Sequence, residues 1–453
     1  MLNISVDFSK ETGAIKPVNG VVGGPKNAAL LYNSSDLFRE MNIPLCRMHD
    51  LEFPYGSGEF CDIHCIFKNF DADENDPASY DFDMTDAYIA ACRDVVARII
   101  YRLGESIDHG HIKKYSHPPR DFAKWARICE HVIMHYNEGW ADGHNWNIEY
   151  WEIWNEPDID ITREKGNEAC WSGTVEQFYD FFETAAKHLK GRFPHLKIGG
   201  PAVCGREEWG KAFIREMGKR NVPLDFFSWH KYTYNMPKFA KQTAFFRKVL
   251  DDAGYTKTEL ILDEWNYVED WNNQPPSFKK QITMRGAAFC AASLITFQHS
   301  ALDAATYFMA DIMQPWCGLY EVEDWSVDGL SPIAPKCRMK PRKPFYGFKA
   351  FGKLIALGNE CESVSGSENV HVLAASGEGK CGVMLVTFDS ALENEKAEIT
   401  LSGLSVGACV KVYLTDENND EVLEKETVAD SETLTLNLSV SEEHIRYIEI
   451  SDC

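Results

Sequence analysis

Two glutamates are placed where a carboxylate can do chemistry. Glu156 closes the aromatic run "YWEIWNEP" (150–157), and Glu264 stands beside Asp263 at the end of the apolar run "ELILDEW" (259–265). Each run reads as a β-strand, and a polar residue at the end of a barrel strand faces the mouth where a ligand binds. Two carboxylates across a cleft are what cleavage of a glycosidic bond requires: one protonates the leaving oxygen, and the other attacks the anomeric carbon or activates water. A gap of about 5–5.5 Å between them gives retention of configuration and about 6.5–9.5 Å gives inversion. Pro157 cannot donate a ladder hydrogen bond, so the strand is expected to end before it, and it favours an extended backbone at Glu156. Alternation by two puts Leu260, Leu262 and Glu264 on one face and Asp263 on the other, with Glu264 assigned to the mouth and Asp263 as the alternative.

Other polar residues sit at similar positions. In "CRMHDLEFPYG" (46–56), Arg47 and His49 share one face and Asp50 takes the other. Arg47 reads as an interior partner of the carboxylates, and His49 and Asp50 as contacts to sugar hydroxyls or, more plainly, as loop anchors. His230 and Tyr232 in "SWHKY" (228–232) share one face, although a core histidine explains His230 too. The segment "ADIMQPWCGLYEVEDW" (310–325) brings Trp316, Glu321 and Glu323 towards the mouth, where an aromatic face can stack on a sugar and carboxylates can hold its distal hydroxyls; surface packing accounts for them equally well. Glu149 and Glu152 read as buried partners of Arg or Lys. Tryptophans 140, 146, 151, 154, 171, 265, 271, 316 and 325 crowd the ends of the fourth, seventh and eighth strands, some as core and some as a sugar-binding wall. Cys61, His64 and Cys65 in "CDIHC" have metal-ligand spacing, but no second cluster follows nearby.

The elements that position these residues are legible in the periodicity. Strands are expected at 19–24, 43–49, 95–104, 147–155, 196–203, 224–232, 259–265 and 303–311. Amphipathic helices lie between them: 119–139 begins at proline and aspartate and ends at glycine, 174–193 opens on Thr174 as a cap, and 237–254 runs from proline to glycine. Eight strand–helix units specify an α/β fold, the (β/α)8 TIM barrel, over residues 17–357. Beyond "KPFYGFKAFGKLIALG" (343–358) tryptophan disappears and short alternating strands follow, as in an accessory antiparallel β-sandwich over 358–453. The opening strand "LNISVDFS", within residues 1–16, is expected to join that sandwich, and the two units to pack closely.

Composition narrows the partners. Sixty-nine acidic residues against forty-six basic ones give a net charge of −23, which disfavours nucleic acid and anionic membrane. The sequence contains no apolar run long enough to span a bilayer and no signal-peptide pattern at its start, so a cytoplasmic location is expected. Fourteen cysteines without regular spacing suit reduced thiols. Self-association as a homo-oligomer is left open.

"WEIWNEPD" and "ILDEWN" on eight such units resemble the retaining hydrolases of the large barrel clan A. "VDFSKETGAIKPVNGVVGGP", "IPLCRMHD", "GGPAV", "FFSWHKY" and "KPFYGFKAFGKL" make the likeness closest to glycoside hydrolase family 39, the β-xylosidase and α-L-iduronidase family, over most of the chain. The resemblance implies that Glu156 is the general acid/base, with a raised pKa, and Glu264 the nucleophile, kept ionised. It implies that Asn155 serves the sugar hydroxyl next to the anomeric carbon, with His230 and Tyr232 as donors around the nucleophile. It implies no metal or organic cofactor and, as substrate, a small oligosaccharide or glycoside, first a β-xyloside. β-Galactosides, arabinosides and uronides stay open, and the acidic insert "NFDADENDPASYDFDMTD" (69–86) is a candidate for reshaping the pocket. A non-catalytic carbohydrate-binding protein is the reading from another class, and it predicts a lost carboxylate.

Overall fold

A computed structural model describes residues 2–25, 33–51, 59–95, 97–108, 111, 113–159, 170–310, 317–322, 339–389 and 395–452. After strand β1 (Leu2–Ala14), eight parallel strands close into a barrel in chain order: β2 (Gly20–Val22), β3 (Leu45–Met48), β4 (Arg98–Leu103), β5 (Tyr150–Ile153), β6 (Lys197–Val203), β7 (Phe226–Tyr232), β8 (Glu259–Asn266) and β9 (Ala304–Tyr307), with β9 pairing back to β2. Every expected barrel strand is present, and each is shorter than or close to its hydrophobic run. The fourth and seventh barrel strands are β5 and β8.

Side chains alternate strictly in the lower part of the barrel. Leu45, Ile100, Tyr150, Phe226, Ile261 and Ala304 point inward and form one apolar layer. Their neighbours Cys46, Ile99, Trp151, Phe227, Leu260 and Ala305 point outward into the layer of helices. The helices begin where the sequence signals place them. Asp121 accepts from the Lys124 amide at the start of helix Phe122–Glu138, and Gly139 at φ 73° ends it. Thr174 and Gln177 make a reciprocal capping box on helix Val175–Arg192.

A hairpin of β10 (Tyr320–Val322) and β11 (Met339–Pro341) precedes helix Lys343–Leu357. Then come β12 (Asn359–Ser365), β13 (Val370–Gly377), β14 (Lys380–Thr387), β15 (Glu395–Ser402), β16 (Cys409–Thr415), β17 (Val422–Val428), β18 (Thr433–Val440) and β19 (His444–Ser451). With β1 they form one sheet ordered β17-β16-β19-β14-β13-β12-β1-β15-β18. It curls around its own core, which includes Ile4, Val6, Val372, Val383, Ile399, Val410, Leu436 and Ile448, and so makes the β-sandwich. One pairing departs from the antiparallel expectation: β1 runs parallel to β15.

The middle strands of this sheet are buried on both faces. Cys381, Val383 and Leu385 face the sandwich core, while Met384 and Val386 between them join the barrel's core beside Phe289 and Leu354 of the last helices. Arg285 clasps the same junction, with Nη1 2.6 Å from Glu443 and Nη2 3.0 Å from Asp389.

Candidate active site

One layer above Leu45, Ile100, Tyr150, Phe226 and Ile261, the same strands present Arg47, Arg102, Glu152, Ser228 and Asp263. All five are fully buried. Arg47 organises them. Its Nε donates to Glu152 Oε2 at 2.7 Å and lies 3.2 Å from Asp263 Oδ2; Nη1 donates to Glu264 Oε1 at 2.9 Å, and Nη2 to Asn155 Oδ1 at 2.9 Å. The Ser228 hydroxyl donates to Glu152 Oε1 at 2.6 Å. Burial, with Asp263 beside it, pushes Glu152 up to about 8. Burial also works against ionisation of Asp263, but Arg47 and His230 more than offset it and hold that carboxyl below its ordinary value. Their environments thus push the two carboxyls in opposite directions, Glu152 towards its neutral form and Asp263 towards its charged one.

At the ends of the strands Glu156 and Glu264 face each other. The His230 ring lies between them, its Nδ1 2.6 Å from Glu156 Oε1 and 3.3 Å from Glu264 Oε2. One oxygen of each carboxylate and this nitrogen all fall within 4.8 Å of one another. Burial disfavours a charged His230, yet Glu264, Asp263 and Glu156 around it raise its pKa well above the ordinary value, so the ring is an imidazolium. The Tyr232 hydroxyl donates to Glu264 Oε2 at 2.6 Å. His49 is neutral: burial, then Arg47 and Arg102, drive its pKa well down, and Arg102 Nε donates to its Nδ1 at 3.2 Å. Its Nε2 lies 3.1 Å from Asp50 Oδ1 and 3.4 Å from Glu264 Oε1. Burial, with Glu264 nearby, pushes Asp50 up to about 8. The structure therefore gathers Glu156, Glu264, Asn155, His49, Asp50, His230 and Tyr232 at one mouth.

Three details differ from the sequence reading. Glu156 is not extended: its φ is +46°, and Trp154 before it has φ +73°. The Trp154 amide donates to Leu103 O at 2.7 Å and the Glu156 amide to Ala202 O at 3.0 Å, so hydrogen bonds to both neighbouring strands fix this left-handed path. Left-handed geometry at a non-glycine residue costs about 1–2 kcal/mol, and here it turns Trp154 into the helix layer while Asn155 and Glu156 both reach the mouth.

On β8, Leu260 and Leu262 face the helices, so plain alternation would send Glu264 outward. A bulge prevents this. Trp229 pairs with Leu262 but His230 with Glu264, and β9 shows the same extra residue, so Asp263 and Glu264 both enter the site.

The third difference is electrostatic. Glu264, expected to be held ionised, is pushed above its ordinary range by burial and by Glu156, against the pull of His230, Arg47 and Tyr232. Its side chain is only 7% exposed, a degree of enclosure that strand position alone does not reveal.

Other candidates have different neighbours or fall outside the described residues. Glu321 sits on the β10–β11 hairpin with its Oε2 3.3 Å from Arg342 Nε. Trp316 and Glu323 fall outside the described residues, as does Trp325. Glu149 is a half-buried partner of Lys197 at 3.1 Å rather than a buried one. Trp151, Trp154, Trp171 and Trp265 are core, whereas Trp271 is 49% exposed and stands edge-on to Tyr232 at 5.2 Å, the tryptophan best placed to wall the mouth. The acidic insert packs along helix Phe122–Glu138, with Glu74 on Arg127 at 2.7 Å and Asp71 on Arg120 at 2.7 Å. Cys61 turns to the Met48 carbonyl and does not converge with His64.

Asp158 was not singled out from the sequence. It accepts from the Cys204 amide at 2.8 Å, and burial, with Glu156 adding to it, pushes it up to about 7. Its place two residues past Glu156, on the same loop, was the available signal.

The family model for glycosyl hydrolases family 39 matches residues 3–295, which holds every barrel element from β2 to β8 and both glutamates. The chain belongs to glycosyl hydrolases family 39. The chain is 33% identical over 162 residues to a β-xylosidase of Geobacillus stearothermophilus, a match covering 35% of this chain and 29% of that protein. It is 24% identical over 324 residues to a β-xylosidase of Caldicellulosiruptor saccharolyticus, covering 68% of this chain and 63% of that protein. The matches thus span less than two thirds of either relative. The fold is similar to the crystal structure of a glucosidase from Croceicoccus marinus, with a TM-score of 0.79 and 21% identity, covering 100% of this chain and 99% of the other. Among the described residues no helix is long and apolar enough to cross a membrane.

Proposed function

We infer that the chain is an exo-acting glycoside hydrolase that retains anomeric configuration, with its catalytic barrel in 17–357 and its sandwich in 1–16 plus 358–453. The observation that carries this reading is the approach of Glu156 and Glu264, one oxygen of each within 4.8 Å, a closeness that favours the retaining geometry over the wider inverting one. Glu264 attacks the anomeric carbon while Glu156 gives its proton to the leaving oxygen. Glu156 then takes a proton from the water that releases the glycosyl-enzyme. Arg47 and Tyr232 grip the two oxygens of Glu264 separately and so fix the direction of attack. Asn155 is locked through Oδ1, and its buried Nδ2 has no partner among the described residues, which leaves that amide to donate to the sugar hydroxyl beside the anomeric carbon.

A neutral sugar suits this site. The cations at its floor, Arg47 and Arg102, are buried and committed to Glu152, Glu264 and Asp62. The β-xylosidase relatives make a β-xyloside the first substrate to try. The assay is a panel of nitrophenyl β-xyloside, β-glucoside, β-galactoside, α-arabinoside and β-glucuronide, with the product anomer read by NMR. Glu264→Ala and Glu156→Ala are expected to lose about 10²-fold or more in turnover. Azide should rescue Glu264→Gly to an inverted glycosyl azide and Glu156→Ala to a retained one. An inverted product from the wild type, or full turnover in either alanine variant, overturns the assignment.

A further inference from the structure

A second convergence of chemically capable side chains lies on the flank of the barrel. Asp86 sits near the start of helix Asp83–Asp94, His135 in the last turn of helix Phe122–Glu138, and His144 in the segment 139–149 that leads into β5. His135 Nε2 is 3.0 Å from Asp86 Oδ1, and His144 Nε2 is 3.2 Å from Asp86 Oδ2. The three donor atoms lie within 4.8 Å of one another, and the His135 side chain is only 3% exposed.

The proton positions make this more than a cluster of ion pairs. His135 Nδ1 is 2.9 Å from the Trp140 carbonyl, which can only accept, so Nδ1 carries a hydrogen. In a neutral ring Nε2 then holds a lone pair, and that lone pair points at a carboxylate oxygen, which is another acceptor. A cation must sit between them, either a second proton or a metal ion in its place. A ring whose far nitrogen is donated to a backbone carbonyl is also how metal-ligating histidines are oriented. Neither ring is free to turn: His135 stacks on Phe82 and His144 on Trp146, each with centroids 3.7 Å apart. Gly143 lets the segment close on the histidine, since a Cβ there would collide with the His135 carbonyl and come within 2.6 Å of its Nδ1. A cavity of about 1270 Å³, lined in part by Tyr80, Phe82, Asp86 and His135, opens beside the cluster and supplies a path for an ion and room for its waters.

We propose that Asp86, His135 and His144 form a binding site for a divalent transition metal of the zinc class. Two imidazole nitrogens and one carboxylate suit Zn2+, whereas Mg2+ and Ca2+ take oxygen donors. The bound ion fastens segment 139–149 to two helices and thereby steadies the entry to β5; it touches no reacting atom. The site stands independently of the glycosidase assignment.

The test is calorimetric titration of chelator-treated full-length protein with Zn2+, with Mg2+ in parallel and thermal unfolding recorded in both. Among the described residues two other groups, Asp62/His64/Glu105 and Glu156/His230/Glu264, offer one imidazole each, so the count must be read against variants. Wild type is expected to take one more zinc ion than His144→Ala or Asp86→Asn, and to gain several degrees in Tm that both variants lack. Equal stoichiometry in wild type and variants, or an equal response to Mg2+, overturns the proposal. X-ray absorption of Co2+ loaded one-to-one into the wild type needs no variant: two imidazole neighbours support the site, and one or none rejects it.

Discussion

The lower and upper layers of the barrel interior use the same strands, two residues apart, and obey opposite rules. Below, Leu45, Ile100, Tyr150, Phe226 and Ile261 fill the space with apolar volume. Above, Arg47, Arg102, Glu152, Ser228 and Asp263 fill it with charge and hydrogen bonds. Fully burying an apolar side chain of this kind yields about 1.5–3 kcal/mol, whereas every buried ion above must recover its lost hydration from partners. That recovery is incomplete: both oxygens of Asp263, Asn155 Nδ2, His49 Nε2 and His230 Nε2 lack a well-formed hydrogen bond among the described residues. The lower layer holds the barrel closed, and the upper layer draws on that stability to keep reactive groups desolvated.

Perturbing each layer in turn should separate the two roles. The largest effect is expected from Arg47→Met, which strands Glu152, Asp263 and Glu264 without their shared cation. Loss of one member of a buried network costs about 3–5 kcal/mol, read from the denaturant midpoint, and turnover should fall with it. Ile261→Ala in the lower layer should cost about 2–5 kcal/mol through its cavity but leave KM and the turnover of the folded fraction unchanged. A marked change in KM would show that the layers are coupled.

A pH measurement sharpens the comparison further. Asp158 is lifted to about 7 in the folded chain, above the about 3.9 of an unfolded aspartate, so the folded state binds the extra proton between those values. Stability from this group is complete at low pH and declines as pH rises through 7, with a slope of up to about 1.4 kcal/mol per pH unit. Asp158→Asn, which keeps the acceptor for the Cys204 amide, should flatten that slope. An unchanged slope would mean that Asp158 is already ionised. The smallest effect is expected from Thr306→Val. It removes a single hydrogen bond, Oγ1 to Asp263 O at 2.6 Å, and should cost about 1 kcal/mol in thermal unfolding.

The fold was legible because its signals are local. Eight apolar runs at strand length, caps such as Asp121 and Thr174, and glycine at 139 are each read from a few neighbouring residues. Both glutamates were legible for the same reason, as carboxylates ending apolar runs. The aim of their side chains was not. Alternation along a strand knows nothing of the Leu103 and Ala202 carbonyls that hold Trp154 and Glu156 at positive φ, or of the bulge that turns Glu264 inward. Arg102 reaching Asp62, and Asp86 reaching His144, are likewise contacts made by topology across long stretches of chain.

The pairing of β1 sets an order of assembly. Among the described residues its ladder partners lie in β12 and β15, and 353 residues separate Phe8 from Cys361, whose thiol meets its carbonyl. On a growing chain β1 therefore waits, with its ladder groups bare, until the whole barrel has emerged. The sheet then closes as the last stitch, and a chain stopped before residue 395 would keep the barrel's sequence while leaving a strand edge open to its neighbours.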